Sequence, residues 1–342
     1  MLTTLAAAVL FFAVIVIGNA AILLAIASLL RASKAGFASS TLIAAINPLA
    51  QILILAGLFA TYEQSKALMV VIVTLGSIIA LAMPVILIRR LFVTKWGRSV
   101  AIYFLWGICG SLFNVSVAIG LRTFVLEAFD VPTNAMAPTV AGVHRWGVCP
   151  HCGETMIVST PLDQDGQPMT ENKQGICSAC LKSDDTSRID PKVILGDRII
   201  SNKLRRPRRW DVVTYYPPEA PGVLYVHRLV GLPGESVLVK DGQIWIDGVA
   251  LSPPADLIKL KYADSQKMAE FGIDYGLNYG VGDQPCHLAD DEYFVLGDNT
   301  LRSSDSRFFG PVKMDQVTGV VTMRYWPPSR AKILRNSSEP LP

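Results

Sequence analysis

Asp130–Val140 reads DVPTNAMAPTV and stands a few residues beyond the last long uncharged stretch in a chain of 342 residues. Its prolines, Pro132 and Pro138, fix φ, remove two backbone donors and push each preceding residue away from helical geometry. The segment is therefore extended or turned, and it divides the chain. Ahead of it, Met1–Leu30, Ala35–Tyr62, Ala67–Ile88 and Ser99–Leu121 contain no charged residue, and each reaches the roughly 20 apolar residues that cross a bilayer. Four transmembrane helices are expected within residues 1–121. The second run is the weakest, because Asn47, Pro48 and Gln51 fall inside it. Hydrophobic residues make up 51% of the whole and charged ones 17%, which is too apolar for an ordinary soluble protein.

The first run lacks a basic leader and exceeds the roughly 7–15 apolar residues of a cleaved export signal, so it is expected to be an uncleaved helix. Arg31 and Lys34 follow the first run, and Arg89, Arg90, Lys95 and Arg98 follow the third. With four spans, both basic loops lie on one side, which the positive-inside rule makes cytoplasmic. Everything after Leu121 then lies outside the plasma (inner) membrane of a multi-pass protein. The net charge of +3 is too small to suggest a nucleic-acid partner.

Beyond Arg122 the period changes. SVLVKDGQIWI at Ser236–Ile246 alternates as strands do, with Asp241-Gly242 as the hairpin turn. Asp211–Tyr216 and Val320–Trp326 read as further strands, so this half is expected to be mainly β, with barrel and sandwich both open. The expected organisation is a β domain from residues 122–140 and 195–328, an inserted segment over 141–194, and a flexible tail over 329–342.

Three stretches carry candidate chemistry: DVPTNAMAPTV, then YVHRLVGLPGES from Tyr225, and LGDNTLRSSDSRFFG from Leu296. Together they resemble the type I signal peptidases, membrane-anchored serine endopeptidases. Their first motif, P-S-x-S-M-x-P-T-L, follows a membrane helix directly. In that family the second Ser attacks the scissile carbonyl and the first helps hold the oxyanion. Here Thr133 stands at the first position and Ala135 at the second. Threonine can still donate, and alanine keeps its amide. What is missing is the side-chain oxygen that covalent acyl transfer requires. By the same resemblance Met136 matches the family's bilayer-facing or pocket-lining Met, and Met136 and Pro138 are expected to bind substrate.

The second stretch resembles Y-x-K-R-x-x-G-L-P-G-D, in which the Lys is the general base. His227 takes its place, as in the related endoplasmic-reticulum enzymes, and neutral imidazole is a competent base. The third meets every fixed position of G-D-N-x-x-x-S-x-D-S-R-x-x-G. The resemblance implies that Ser303 orients the base and that Asp305 and Arg307 form a supporting ion pair. It also implies a fold of the signal-peptidase kind, no catalytic cofactor, and as substrate the small-residue segment of a signal peptide, paired with a strand edge. Partners would be exported preproteins, the lipid bilayer and the secretion machinery. Trp210 replaces the family's Gly in R-G-D-V-V, which puts the turn there in question.

The insertion contains CPHC (Cys149, Cys152) and CSAC (Cys177, Cys180). Four thiolates in two such knuckles suit a structural zinc ribbon, with His151 able to replace one; a pair of disulfides is the alternative in an external compartment. Cys109 reads as a buried apolar residue and Cys286 beside His287 as a structural one. The expected activity is removal of signal peptides by a Ser form of the chain, with Ala135 abolishing or strongly impairing cleavage. A non-cutting signal-peptide binder and a zinc-containing membrane scaffold remain as alternatives.

Overall fold

Each uncharged run forms a helix: α1 (Leu2–Leu29), α2 (Phe37–Thr61), α3 (Lys66–Leu91) and α4 (Trp96–Phe124). The computed structural model describes residues 2–61, 66–160, 174–185, 189–190, 192–273 and 276–334. The chain divides into two units, Met1–Gly120 and Leu121–Pro342. Among the described residues three helices are long and apolar enough to cross a membrane, over Phe12–Leu29, Val70–Leu91 and Trp96–Phe124. In α2, which carries Pro48 in its interior, the described apolar stretch is the shorter Phe37–Ile46.

Val16, Ala20, Leu23 and Ala27 form one buried stripe on α1, at the spacing that keeps side chains on one helical face, and join Ile43, Ile88, Ile102 and Trp106. Small and polar residues let α1 and α4 meet. A Cβ on Gly18 would lie 2.3 Å from the Phe113 ring. The Asn19 amide donates to Asn114 Oδ1 at 2.9 Å, and Trp106 Nε1 donates to the Asn19 carbonyl at 3.0 Å. Such contacts bind helices together where apolar burial offers no driving force.

In the second unit the main antiparallel sheet runs β1 (Leu126–Asp130), β6 (Arg198–Asn202), β15 (Val317–Trp326), β7 (Val212–Tyr215), β8 (Tyr225–Gly231), β13 (Glu292–Leu296) and β14 (Val312–Lys313), with β16 (Lys332–Ile333) added on β15. The ten-residue β15 is bulged against both neighbours, which bends a strand and increases its twist. A second sheet orders β11 (Val249–Ala250), β10 (Gln243–Ile246), β9 (Ser236–Lys240) and β12 (Cys286–His287). The expected hairpin joins β9 to β10, with Asp241 and Gly242 at φ 54° and 76°, the left-handed pair that Asp-Gly favours. The insertion folds as its own sheet of β2 (His144–Val148), β3 (Thr155–Ser159), β4 (Gln174–Ile176) and β5 (Ser183–Asp185). The expected mainly-β domain after an apolar helical region is the architecture observed.

One boundary needs correction. Residues 329–334 are not a loose tail: Ile333 and Lys332 pair with Met323 and Arg324, and Arg330 lies 3.2 Å from the buried Asp197 carboxylate. An ion pair and a strand register hold a stretch that composition alone leaves unanchored. The remainder of the expected tail, 335–342, lies outside the described residues.

Candidate active site and four-cysteine cluster

The turn after β1 is held by its own carbonyls. Asn134 O accepts from the Asn299 side-chain amide at 3.0 Å, and Ala135 O accepts from Asn299 N at 2.9 Å. Asn134 is buried, and its own amide donates to Val143 O at 3.0 Å and to Ser159 Oγ at 3.1 Å. Ala135 is half-buried at the crest and Thr133 exposed beside it. Gly297 explains why the third stretch can approach so closely. A Cβ there would meet Ser303 Oγ at 2.1 Å and Ala135 O at 2.7 Å. Ser303 and the Ala135 peptide thus crowd the same point, which only a residue without a side chain can occupy.

Ser303 Oγ is 3.0 Å from His227 Nε2, and Tyr215 Oη is 2.6 Å from His227 Nδ1. In the antiparallel pairing of β7 with β8, Val213 opposes His227, so Tyr215 is the diagonal neighbour on the same face. His227 is buried, and that desolvation lowers its pKa to about 4 despite the opposing Asp305 charge. Its imidazole is neutral at pH 7. Burial raises the Tyr215 phenol well above its ordinary range, so this group keeps its proton. In the tautomer whose Nδ1–H donates to Tyr215 Oη, Nε2 carries the basic lone pair, which accepts from the Ser303 hydroxyl.

Two buried ion pairs flank the imidazole. Arg307 donates from Nε to Asp305 Oδ1 and from Nη2 to Asp305 Oδ2, both at 2.8 Å. Asp305 also receives Gly297 N at 3.0 Å. Burial alone would raise the Asp305 pKa; the Arg307 charge and hydrogen bonds outweigh it and hold the carboxyl below its usual range. On the opposite face of β8, Arg228 forms a second fork with Asp298, at 2.7 and 2.6 Å. Thr139 Oγ1 donates to Asp298 Oδ2 at 2.5 Å.

Of the expected site residues, the structure gathers Ala135, His227, Ser303, Asp305 and Arg307. Thr133 stays on the turn but outside the hydrogen-bonded cluster. Met136 is corrected: it is 2% exposed and packs with Val131, Val140, Ile199, Val212 and Val321, so it is a core residue rather than a surface one. Its neighbours on the Pro-rich turn are a half-buried Ala135 and a buried Ala137. Pro138, half-buried, lines a cavity of about 190 Å³ with Thr139, Trp210, Arg228 and Arg324. Sequence reasoning missed Tyr215 as a partner of His227, and Asn134 as an anchor of the turn. Trp210 has φ 70°, so the backbone keeps a glycine-like conformation while the indole is buried among Val230, Val237, Leu257 and Leu296.

This arrangement has relatives. Residues 181–326 match the family model described as "Signal peptidase, peptidase S26". Signal peptidase I of Bacillus caldolyticus is 32% identical over 142 residues, which is 40% of this chain and 74% of the relative. The chain belongs to the signal peptidase I family. Probable signal peptidase I-2 of Synechocystis sp. is 29% identical over 230 residues, 66% of this chain and 74% of the relative. Signal peptidase I V of Bacillus subtilis is 30% identical over 139 residues, 39% and 78%. The span 181–326 of the family model contains His227 and the Gly297–Gly310 stretch; the turn bearing Ala135 lies upstream of it.

The four cysteines of the insertion also converge. The sulfurs of Cys149, Cys152, Cys177 and Cys180 all lie within 4.8 Å of one another. Cys149–Cys180 and Cys152–Cys177 are 3.7 and 3.6 Å apart, and none of the four is in a disulfide. A tetrahedral ion with Zn–S bonds of about 2.3 Å spaces its sulfurs by about 3.8 Å, whereas a disulfide needs about 2.05 Å. The donor set therefore fits one metal ion. His151 is exposed and is not one of the clustered ligands. Cys286 is buried in the second sheet with Val237 and Leu288 while His287 is exposed, since consecutive strand residues face opposite ways. Cys109, expected to be buried, is instead exposed on α4.

Proposed function

We propose that this chain recognises the signal peptides of exported preproteins at the outer face of the plasma membrane, where four membrane-crossing helices hold it, and that Ala135 prevents it from cutting them. The observation that carries this reading is the clamping of the Ala135 peptide, through Asn299 and Gly297, against the Ser303–His227 pair. A framework suited to acyl transfer surrounds a side chain that cannot attack. A signal peptide delivered by the secretion machinery would lie extended along the domain, its small residues beside Ala135. The Ala135 amide and the Thr133 hydroxyl would hold the carbonyl oxygen, and donors of this kind contribute roughly 2.7–4 kcal/mol once charge develops there.

In an Ala135→Ser variant the hydroxyl would attack the carbonyl carbon while His227 Nε2 took its proton and returned it to the departing amine. Water would then hydrolyse the ester by the same route. Ser303 would keep the imidazole aimed, and Asp305 with Arg307 would fix the segment that carries Ser303. The cysteine cluster would hold one structural zinc ion, and with four protein ligands it leaves no position for catalysis.

The test uses the full chain in detergent with a radiolabelled preprotein. Unaltered protein should bind without releasing product; Ala135→Ser should cleave, and His227→Ala in that background should abolish cleavage. A product made by the unaltered chain and lost with His227→Ala would overturn the non-cutting reading. Failure of Ala135→Ser both to bind and to cleave would point to a scaffold instead.

A further inference from the structure

The two Cys-x-x-Cys knuckles are built alike, except at one residue. In the first, Gly153 N donates to Cys149 O at 2.9 Å, with Gly153 at φ 77°. In the second, Leu181 N donates to Cys177 O at 2.9 Å, with Leu181 at φ 53°. Left-handed backbone suits glycine and strains a side chain bearing a Cβ. A leucine in that place needs compensation, and the compensation is burial. Leu181 is 5% exposed and packs with Ala263, Met268 and Leu301.

Those contacts lead directly to the candidate active site. Arg307 Nη1 donates to Ala263 O at 2.9 Å and to Thr300 Oγ1 at 2.8 Å, and it lies 3.9 Å from Met268 Sδ. Thr300 Oγ1 in turn accepts from Ala263 N at 3.0 Å. The segment Lys259–Ala263 runs between the two regions. Lys259 pairs with Glu154 at 2.6 Å, and Lys261 N donates to Ser178 O at 3.3 Å. Next along the chain, Tyr262 Oη donates to Asp298 at 3.4 Å and Ala263 O accepts from Arg307. Knuckle residues and site residues thus share one arm and one small core.

We propose that the metal-loaded second knuckle is a clasp on the Asp305–Arg307 segment, with Leu181 as the positioning residue that transmits the hold on Cys177 and Cys180 to the buried ion pair beside His227. The inference rests on the zinc reading above and adds to it a role for the ion in shaping the site. An insertion with its own sheet then acts as a brace for the peptidase-like domain, and loss of the metal loosens the segment that carries Ser303.

The experiment uses the full chain in detergent, loaded with cobalt(II) as a spectroscopic substitute, and reads three quantities. The thiolate-to-cobalt absorption band reports the ligand set, amide hydrogen exchange reports residues 297–310, and the His227 imidazole resonances report the site. Leu181→Gly should relieve the backbone and keep the band, yet raise exchange across 297–310 on the order of tenfold and move the His227 titration upward. Leu181→Met should restore both. Chelation of the unaltered chain should raise exchange in the same segment while the β9–β10 hairpin stays protected. If the unaltered chain gives no thiolate band, the zinc reading and the clasp fail together. A normal band with unmoved exchange in Leu181→Gly and in the chelated protein overturns the clasp alone. A rise of equal size in the hairpin also overturns it, because that is general destabilisation.

Discussion

Replacing Arg307 by Met removes one half of a charge pair in which both side chains are wholly buried. The guanidinium has five N–H donors, and the structure supplies an acceptor for each: two on Asp305, the carbonyls of Ala263 and Thr300, and the Thr300 hydroxyl. Without it, Asp305 keeps its burial and loses its counter-charge, and protonation becomes its cheapest response. Carrying a carboxyl from an ordinary pKa of about 3.9 to neutrality at pH 7 costs about 4 kcal/mol, inside the range of about 3–5 kcal/mol for breaking a buried pair. The sign of the pH dependence follows. In the variant the folded state holds a proton that the unfolded chain releases above about pH 4, so the deficit grows with pH, from about 1.5 kcal/mol at pH 5 to about 4 at pH 7. For a unit of this size, the larger figure lowers the melting temperature by about 8–16 °C. Urea unfolding of the full chain in detergent at the two pH values, followed by tryptophan fluorescence, measures it. An Asp305→Asn, Arg307→Met double variant should lose less than the single one and show a flat difference. A single-variant deficit below about 1 kcal/mol, or one equal at both pH values, would refute the reasoning that this pair is held in a dry interior.

Three further outcomes follow from the same geometry. The unfolded chain protonates His227 below about pH 6.5 but the folded one only near 4, so about 3 kcal/mol of stability should disappear as pH falls across that window; His227→Asn should remove this portion of the slope in pH-dependent melts. Gly297→Ala forces a Cβ into Ser303 and Ala135 O, which should cost about 1–3 kcal/mol and shift the imidazole resonances of His227 as Ser303 is displaced. Trp210→Gly gains about 1 kcal/mol or less of backbone relief against about 3–5 lost from a core that encloses the indole, so it should destabilise, and a variant more stable than the parent would contradict that balance.

Much of the architecture was legible because its causes are local. Runs without charge become helices wherever they occur, Asp241-Gly242 turns a hairpin by its own backbone preference, and Pro132 and Pro138 exclude helix without help from a neighbour. The four cysteines and the Gly297–Gly310 pattern were legible as chemistry for the same reason, since residue type and spacing are written along the chain. Met136 was misread because apolarity does not say which apolar surface a side chain will meet, and the turn aims it into the core with Val131 and Ile199. Residues 329–334 were misread because the partners that hold them, Asp197 and β15, lie far away in sequence.

Sequence alone therefore determined that an apolar helical region precedes a β-rich unit, that a hydroxyl is missing at position 135, and that a thiolate set suited to a metal lies in the insertion. The tertiary structure alone decided that Tyr215 meets His227, that Asp298 takes Arg228, and that Leu181 joins the cysteine knuckle to the core around Arg307. Those pairings depend on strand register and on close approach between distant segments. A shift of one residue in β8 would turn His227 to the opposite face of its sheet, and nothing in the local composition would change.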